Sequence, residues 1–184
     1  HLVGHSFGAT VALRLALERP EAVTALTLIE PVFFAAARDH PSHAPHREAE
    51  EAFFQVYATG DHLQAARVFN RIWGGGVPWD NFPGPVQRDM ARNMPFVVGT
   101  EASLWQDCHG LLAAGGLESL RCPVALVRGE QSVPIIEGVH AGLAARLPNA
   151  SETVVTDADH MLVMTHPAAV ADAIAECTPS PVAP

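Results

Sequence analysis

Leu2-Val3-Gly4-His5-Ser6-Phe7-Gly8 opens the chain, followed directly by Ala9-Thr10-Val11-Ala12-Leu13-Arg14-Leu15-Ala16-Leu17. An apolar strand end runs into G-x-S-x-G and then into a helical segment, roughly Phe7 to Arg19, that Pro20 stops. A serine on so tight a strand-to-helix turn stands clear of its own strand, as in a nucleophile elbow, and Gly4 and Gly8 are expected to remove side chains that would collide there. The helix directs its N-terminal N–H groups toward the place where an oxyanion would form, with the N–H of Phe7 as first donor. A glycine turn with an incidental serine is the plain competitor; it explains the pentapeptide but not the strand before it and the helix after it.

With 184 residues, 48% of them hydrophobic, the chain suits one globular domain with room for an insertion. Its net charge of −9 with 11 Lys and Arg leaves no basic surface to track phosphates, so nucleic acid is not an expected partner. Cys108, Cys122 and Cys177 are odd in number and widely spaced, which fits reduced thiols in a cytoplasmic protein better than a disulfide framework or a metal site. Neither a signal peptide nor an apolar run long enough to span a membrane is visible.

Beyond the elbow, Val23 to Ile29 is a short apolar run rich in β-branched residues and reads as a buried parallel strand. It ends in Glu30-Pro31, which sets a carboxylate at the strand's C-terminal end beside the elbow, the edge at which open α/β sheets do their chemistry. A strand-end carboxylate facing solvent is the alternative. Val124 to Val127 reads as a second buried strand, running into Arg128-Gly129-Glu130-Gln131-Ser132, and a helix over Ile135 to Leu147 follows. Glu152 to Val155 is a last strand, leading into Thr156-Asp157-Ala158-Asp159-His160. Of the ten histidines, His160 stands directly beyond a sheet strand and before a final helix that repeats Val170, Ala173, Ile174 and Cys177 on one face; His166, beside a proline, reads as structural. Thr178 to Pro184 reads as a frayed tail.

Between Val32 and about Leu120 the strand signals vanish. Ala49, Ala52, Phe53, Val56 and Tyr57 form one helical stripe ending at Gly60, and Asp61 to Trp73 fits a second helix closed by Gly74-Gly75-Gly76. Val77 to Pro85 must be irregular, and Pro85 to Met94 and Glu101 to Leu112 are weaker helical candidates. His40, His43 and His46 recur every three residues, which invites a metal hypothesis. Pro41 and Pro45, however, oppose the regular helix that would align them, and the segment reads as a solvated, flexible loop.

Leu2 to Pro31, Pro123 to Glu130 and Asp159-His160-Met161 together resemble the α/β-hydrolase superfamily. The resemblance implies a mostly parallel sheet flanked by helices, with residues 1–31 and 121–184 as the core and 32–120 as a helical cap inserted after the family's sixth strand. In that family the elbow follows the fifth strand, so the chain resembles a C-terminal portion; the first strands and the loop that supplies a second oxyanion N–H would lie outside it. The usual triad acid is an aspartate three residues after the glycine of the Arg128-Gly129 turn, and here that position is Ser132. This departure points to Glu30, since some branches of the family carry the acid at the end of that same strand, with Glu130 as the runner-up. The family's general base matches His160.

These residues give the order Ser6, Glu30, His160, and with Phe7 at the oxyanion they imply acyl transfer from a small ester-like or related carbonyl substrate to water, or C–C bond hydrolysis, without metal or cofactor. A serine in place of aspartate argues against dehalogenase or epoxide hydrolase chemistry. Phe53, Phe54, Tyr57, Phe69, Trp73, Trp79 and Trp105 would shape the pocket or fill the cap's own core. The other reading is an inert fragment or an interaction module, its exposed sheet edge covered by the rest of the domain or by another chain.

Overall fold

The computed structural model describes residues 1–177; the tail expected at Thr178 to Pro184 lies outside the described residues. Four parallel strands form one sheet in the order β1-β2-β3-β4: β1 Leu2–His5, β2 Leu26–Ile29, β3 Val124–Gly129 and β4 Ala150–Val155. The chain adds each strand beside the previous one. Parallel crossovers of one hand therefore put the connecting helices α1 (Phe7–Glu18) and α6 (Ile135–Ala144) on the same face. The last described helix, α8 (Pro167–Cys177), covers the opposite face.

Strand alternation separates the two cores. Leu26, Leu28, Val124 and Leu126 point toward Leu13, Ile136, Val139 and Leu143, while Ile29, Ala125 and Val127 point toward Val170, Ala173 and Cys177. Burial on both faces is why β2 reads as an unbroken apolar run.

Residues 32 to 120 contain no strand. After a 3-10 turn at Phe34–Ala37 come α2 (His43–Ala58), α3 (His62–Trp73), α4 (Gly84–Gly99) and α5 (Glu101–Trp105). Asp61 caps α3 by accepting the N–H of Gln64 at 2.9 Å. Phe53, Ala65, Ala66, Trp79 and Met94 form a small core among these helices. A four-residue helix α7 (Leu162–Thr165) precedes α8. Among the described residues no helix is long and apolar enough to cross a membrane.

Several local expectations need correction. The histidine segment is not a flexible loop: His43 and His46 lie on α2, because Pro45 falls in its first turn, where a backbone N–H has no intrahelical acceptor to lose. Helix α4 runs on through Pro95 to Gly99. Helix α5 stops at Trp105 rather than Leu112: Asp107 takes a left-handed φ of 50°, and its carboxylate accepts the N–H groups of Leu111 and Leu112 at 2.7 and 2.9 Å, turning the chain.

The elbow glycines are also unequal. A Cβ on Gly4 would lie 2.3 Å from the carbonyl oxygen of Gly8, whereas one on Gly8 would meet nothing within 4 Å. Gly4 is thus the position at which α1 returns against β1. Gly4→Ala is expected to lower stability by about 1–3 kcal/mol or more, and Gly8→Ala to change it by less than about 1 kcal/mol, in the stabilising direction. Urea denaturation of the two variants checks this; equal losses would contradict the packing described.

Candidate active site

The C-terminal ends of β1, β2 and β3 and the loop after β4 meet at one rim. Ser6 follows β1 with φ 56° and ψ −124°, a conformation that a side chain rarely adopts. Its N–H donates to the carbonyl of Ile29 at 2.9 Å, pinning the elbow to the end of β2. Glu30, the next residue, also has positive φ, 50°. The turn swings its carboxylate back under the sheet edge, where it is 0% exposed.

That carboxylate accepts three hydrogen bonds. The N–H of Gly129 reaches Oε1 at 2.7 Å, the Ser132 hydroxyl reaches Oε2 at 2.5 Å, and His160 Nδ1 reaches Oε2 at 2.9 Å. A carboxylate can only accept, so the Nδ1 of His160 carries the proton and Nε2 is left as the acceptor. His160 Nε2 stands 3.0 Å from Ser6 Oγ. Ser6, Glu30 and His160 thus form one continuous hydrogen-bonded chain, with Ser6 partly open to a cavity.

Burial opposes ionisation of Glu30 most strongly, but the hydrogen bond and electrostatic attraction of the His160 ring, the Ser132 hydroxyl and the Gly129 N–H outweigh it and hold the group below its ordinary value. Ser132, the residue that breaks the usual pattern of the acid, is therefore a donor to the carboxylate. The runner-up, Glu130, is not brought to His160; it is exposed, and its Oε2 accepts the N–H of Asp157 at 3.3 Å.

His160 is 6% exposed and packs against two rings. Trp73 packs edge-on against it with centroids 4.7 Å apart. The His5 ring lies 5.1 Å away, and His5 Nε2 donates to the carbonyl of His160 itself at 2.8 Å. Burial lowers the His5 pKa, partly offset by that hydrogen bond. The sequence reading gave His5 no role; its one signal was adjacency to Ser6. Phe7 is the first residue of α1, so its N–H is among those at a helix start without an intrahelical acceptor.

The cavity in front of Ser6 and His160 has a volume of about 510 Å³. Of the aromatics expected around it, Phe53, Phe54, Phe69, Trp73 and Trp105 line it. Trp79 instead fills the core of the helical segment, and Tyr57 stacks on His62. His46 is buried with its ring against Phe34, Trp73 and Trp105. No group of His, Cys, Asp or Glu among the described residues is arranged to hold a metal ion.

The sequence profile of the Alpha/beta hydrolase family matches residues 1–173. The chain belongs to the alpha/beta hydrolase family. Among curated proteins it is 24% identical over 188 residues to the "Probable lysophospholipase BODYGUARD 1" of Arabidopsis thaliana, a match that covers 89% of this chain and 39% of that protein. Among solved structures it resembles a hydrolase from Pseudomonas aeruginosa PA01, with a TM-score of 0.67, 20% identity and coverage of 98% of this chain and 64% of that one. It also resembles the 2-hydroxy-6-oxo-6-phenylhexa-2,4-dienoate hydrolase of Rhodococcus sp. strain RHA1, with a TM-score of 0.63, 22% identity and coverage of 96% and 63%. The chain thus spans less than two thirds of each of these alpha/beta hydrolase relatives, and at these identities the solved structures speak to the fold alone.

The depressed pKa of Glu30 has a signed consequence. A carboxyl group ionised more readily in the folded state stabilises the fold above its ordinary value of 4.5 and loses that contribution as the pH falls toward the lower folded value. Urea midpoints recorded across this acid range should fall more steeply for the wild type than for Glu30→Gln. Parallel pH profiles would contradict the assignment.

Proposed function

We propose that this alpha/beta hydrolase chain carries the nucleophile, base and acid of a serine hydrolase acting on a small ester-like or related carbonyl compound. The reading rests on one observation above the others: Ser6 Oγ, the His160 ring and the Glu30 carboxylate are joined by bonds of 3.0 and 2.9 Å at the mouth of a cavity.

In this reaction His160 Nε2 takes the Ser6 proton as Oγ adds to the carbonyl carbon. The Phe7 N–H and the N-terminus of α1 stabilise the negative oxygen, together with the second donor that this fold recruits from a loop outside the elbow. Glu30 keeps Nδ1 protonated and offsets the charge of the imidazolium, without taking the proton itself. His160 then protonates the leaving group. Water, activated by the same imidazole, adds to the acyl carbon and restores Ser6. We assign residues 32–120 the role of a cap, with Phe53, Phe69, Trp73 and Trp105 forming an apolar wall that suits an acyl group more than a highly polar one.

A serine-directed fluorophosphonate tests the proposal on the chain itself. Stoichiometric modification of Ser6, abolished in Ser6→Ala and slowed about 10³-fold or more in His160→Ala, is the expected result. Glu30→Gln should slow it strongly and Glu130→Gln should not. A folded chain whose Ser6 is not modified would refute the proposal and favour an interaction module. Loss on Glu130→Gln alone would refute the choice of acid.

A further inference from the structure

The large cavity is apolar along most of its wall, yet three carboxylates line it, Glu50, Glu101 and Asp159, and the first of them is buried. Glu50, on α2, lines the cavity with 7% of its surface exposed. Its Oε2 accepts the indole N–H of Trp105 at 3.1 Å. The other oxygen, Oε1, lies 3.5 Å from His46 Nε2, a nitrogen that makes no hydrogen bond. A carboxylate has about four lone-pair sites, and this one has a single neutral N–H at hydrogen-bonding distance.

Arg47, one turn earlier on α2, is committed elsewhere. Its Nη2 reaches Glu101 at 2.5 Å, and its guanidinium lies over the rings of Trp105 and Phe54 at 5.0 and 5.2 Å. Glu101 is thereby matched by a permanent cation, whereas Glu50 has only the His46 imidazole, at 3.5 Å. Removing a carboxylate from water is costly unless a charge or a set of donors compensates it. The site is therefore short of a donor, and a cation meets that need best. Phe53, three residues after Glu50 on α2, lines the same cavity, and an aromatic ring there can add to the attraction for a cation.

Trp73 connects this place to the proposed reaction centre, its ring packing against His160 at 4.7 Å and against His46 at 5.3 Å. Glu50 and Ser6 line the same cavity, so one elongated substrate can meet both.

We propose that Glu50 determines specificity within the cavity, where it binds a primary ammonium group borne on the acyl part of the substrate. The inference rests on the serine hydrolase reading, because that reading places the carbonyl at Ser6. The preferred substrates are thus amphipathic: an ester at one end, an apolar chain along Trp73 and Phe69, and an amine at the other end.

The test compares kcat/KM for the p-nitrophenyl esters of ω-aminohexanoic acid and heptanoic acid, which differ in the terminal group alone. The wild type should favour the amino ester tenfold or more, and Glu50→Gln, which can still accept from Trp105, should lower that ratio at least tenfold, mainly through KM. An unchanged ratio in Glu50→Gln, or a wild type that favours heptanoate, overturns the proposal. Calorimetric titration of the wild type with hexylammonium chloride and with hexanol decides the matter independently of the variant's folding and of turnover. Tighter binding of the ammonium by tenfold or more supports the site, and equal binding refutes it. Ammonium binding without fluorophosphonate modification would sink the hydrolase reading and leave the site; modification without ammonium preference would do the reverse.

Discussion

One buried carboxylate holds the rim of the sheet together. Glu30 sits at the end of β2 with no exposure to solvent and draws in the N–H of Gly129 from β3, the hydroxyl of Ser132 from the following turn and the ring of His160 from the loop after β4. Hydrogen bonds to a charged acceptor contribute about 1.5–3 kcal/mol each. Together they offset a desolvation cost that a solitary carboxylate could not meet. The arrangement is therefore all or nothing: the segments that satisfy Glu30 are the ones that must converge for His160 to face Ser6.

The sheet makes that convergence available. Because the strands are parallel and added in order, their C-terminal ends share one edge, and each delivers a different group there: β1 the elbow, β2 the acid, β3 the backbone donor. Backbone conformation does the fine placement, since Ser6 and Glu30 both take left-handed φ values, one lifting a hydroxyl off the edge and the other folding a carboxylate beneath it. The rings of His5 and Trp73 both pack against the imidazole. Trp73 belongs to α3, so the helical segment lines the cavity and also contacts the ring.

Much of this was legible before any coordinates. The elbow and both buried strands beyond it follow from apolar runs and their stops, and Glu30 stands out as a carboxylate ending a strand beside the elbow; its pairing with His160 follows from the resemblance to the α/β-hydrolase superfamily and from Ser132 standing where the usual acid would be. What the residues conceal is side-chain partnership over long separations. Ser132 reads as a missing carboxylate, and only the fold shows its hydroxyl on Glu30. His5 reads as filler inside the pentapeptide, and its hydrogen bond to the carbonyl of His160 crosses most of the chain. His43 and His46 read as loop residues because a proline ordinarily breaks a helix, yet Pro45 falls in the first turn of α2, where its missing N–H costs nothing. The two elbow glycines look equivalent in the sequence, and only the packing shows that the clash falls on Gly4.

The central claim is that Glu30 holds the Nδ1 proton of His160 so that Nε2 faces Ser6. Proton NMR of the folded chain tests it most directly, because a ring N–H bonded to a buried carboxylate resonates far downfield of the amide envelope and exchanges slowly. The account predicts one such resonance, assigned to His160 Nδ1–H by its absence in His160→Ala, and displaced upfield or lost in Glu30→Gln while Glu130→Gln leaves it in place. A resonance that survives Glu30→Gln unchanged would contradict the account.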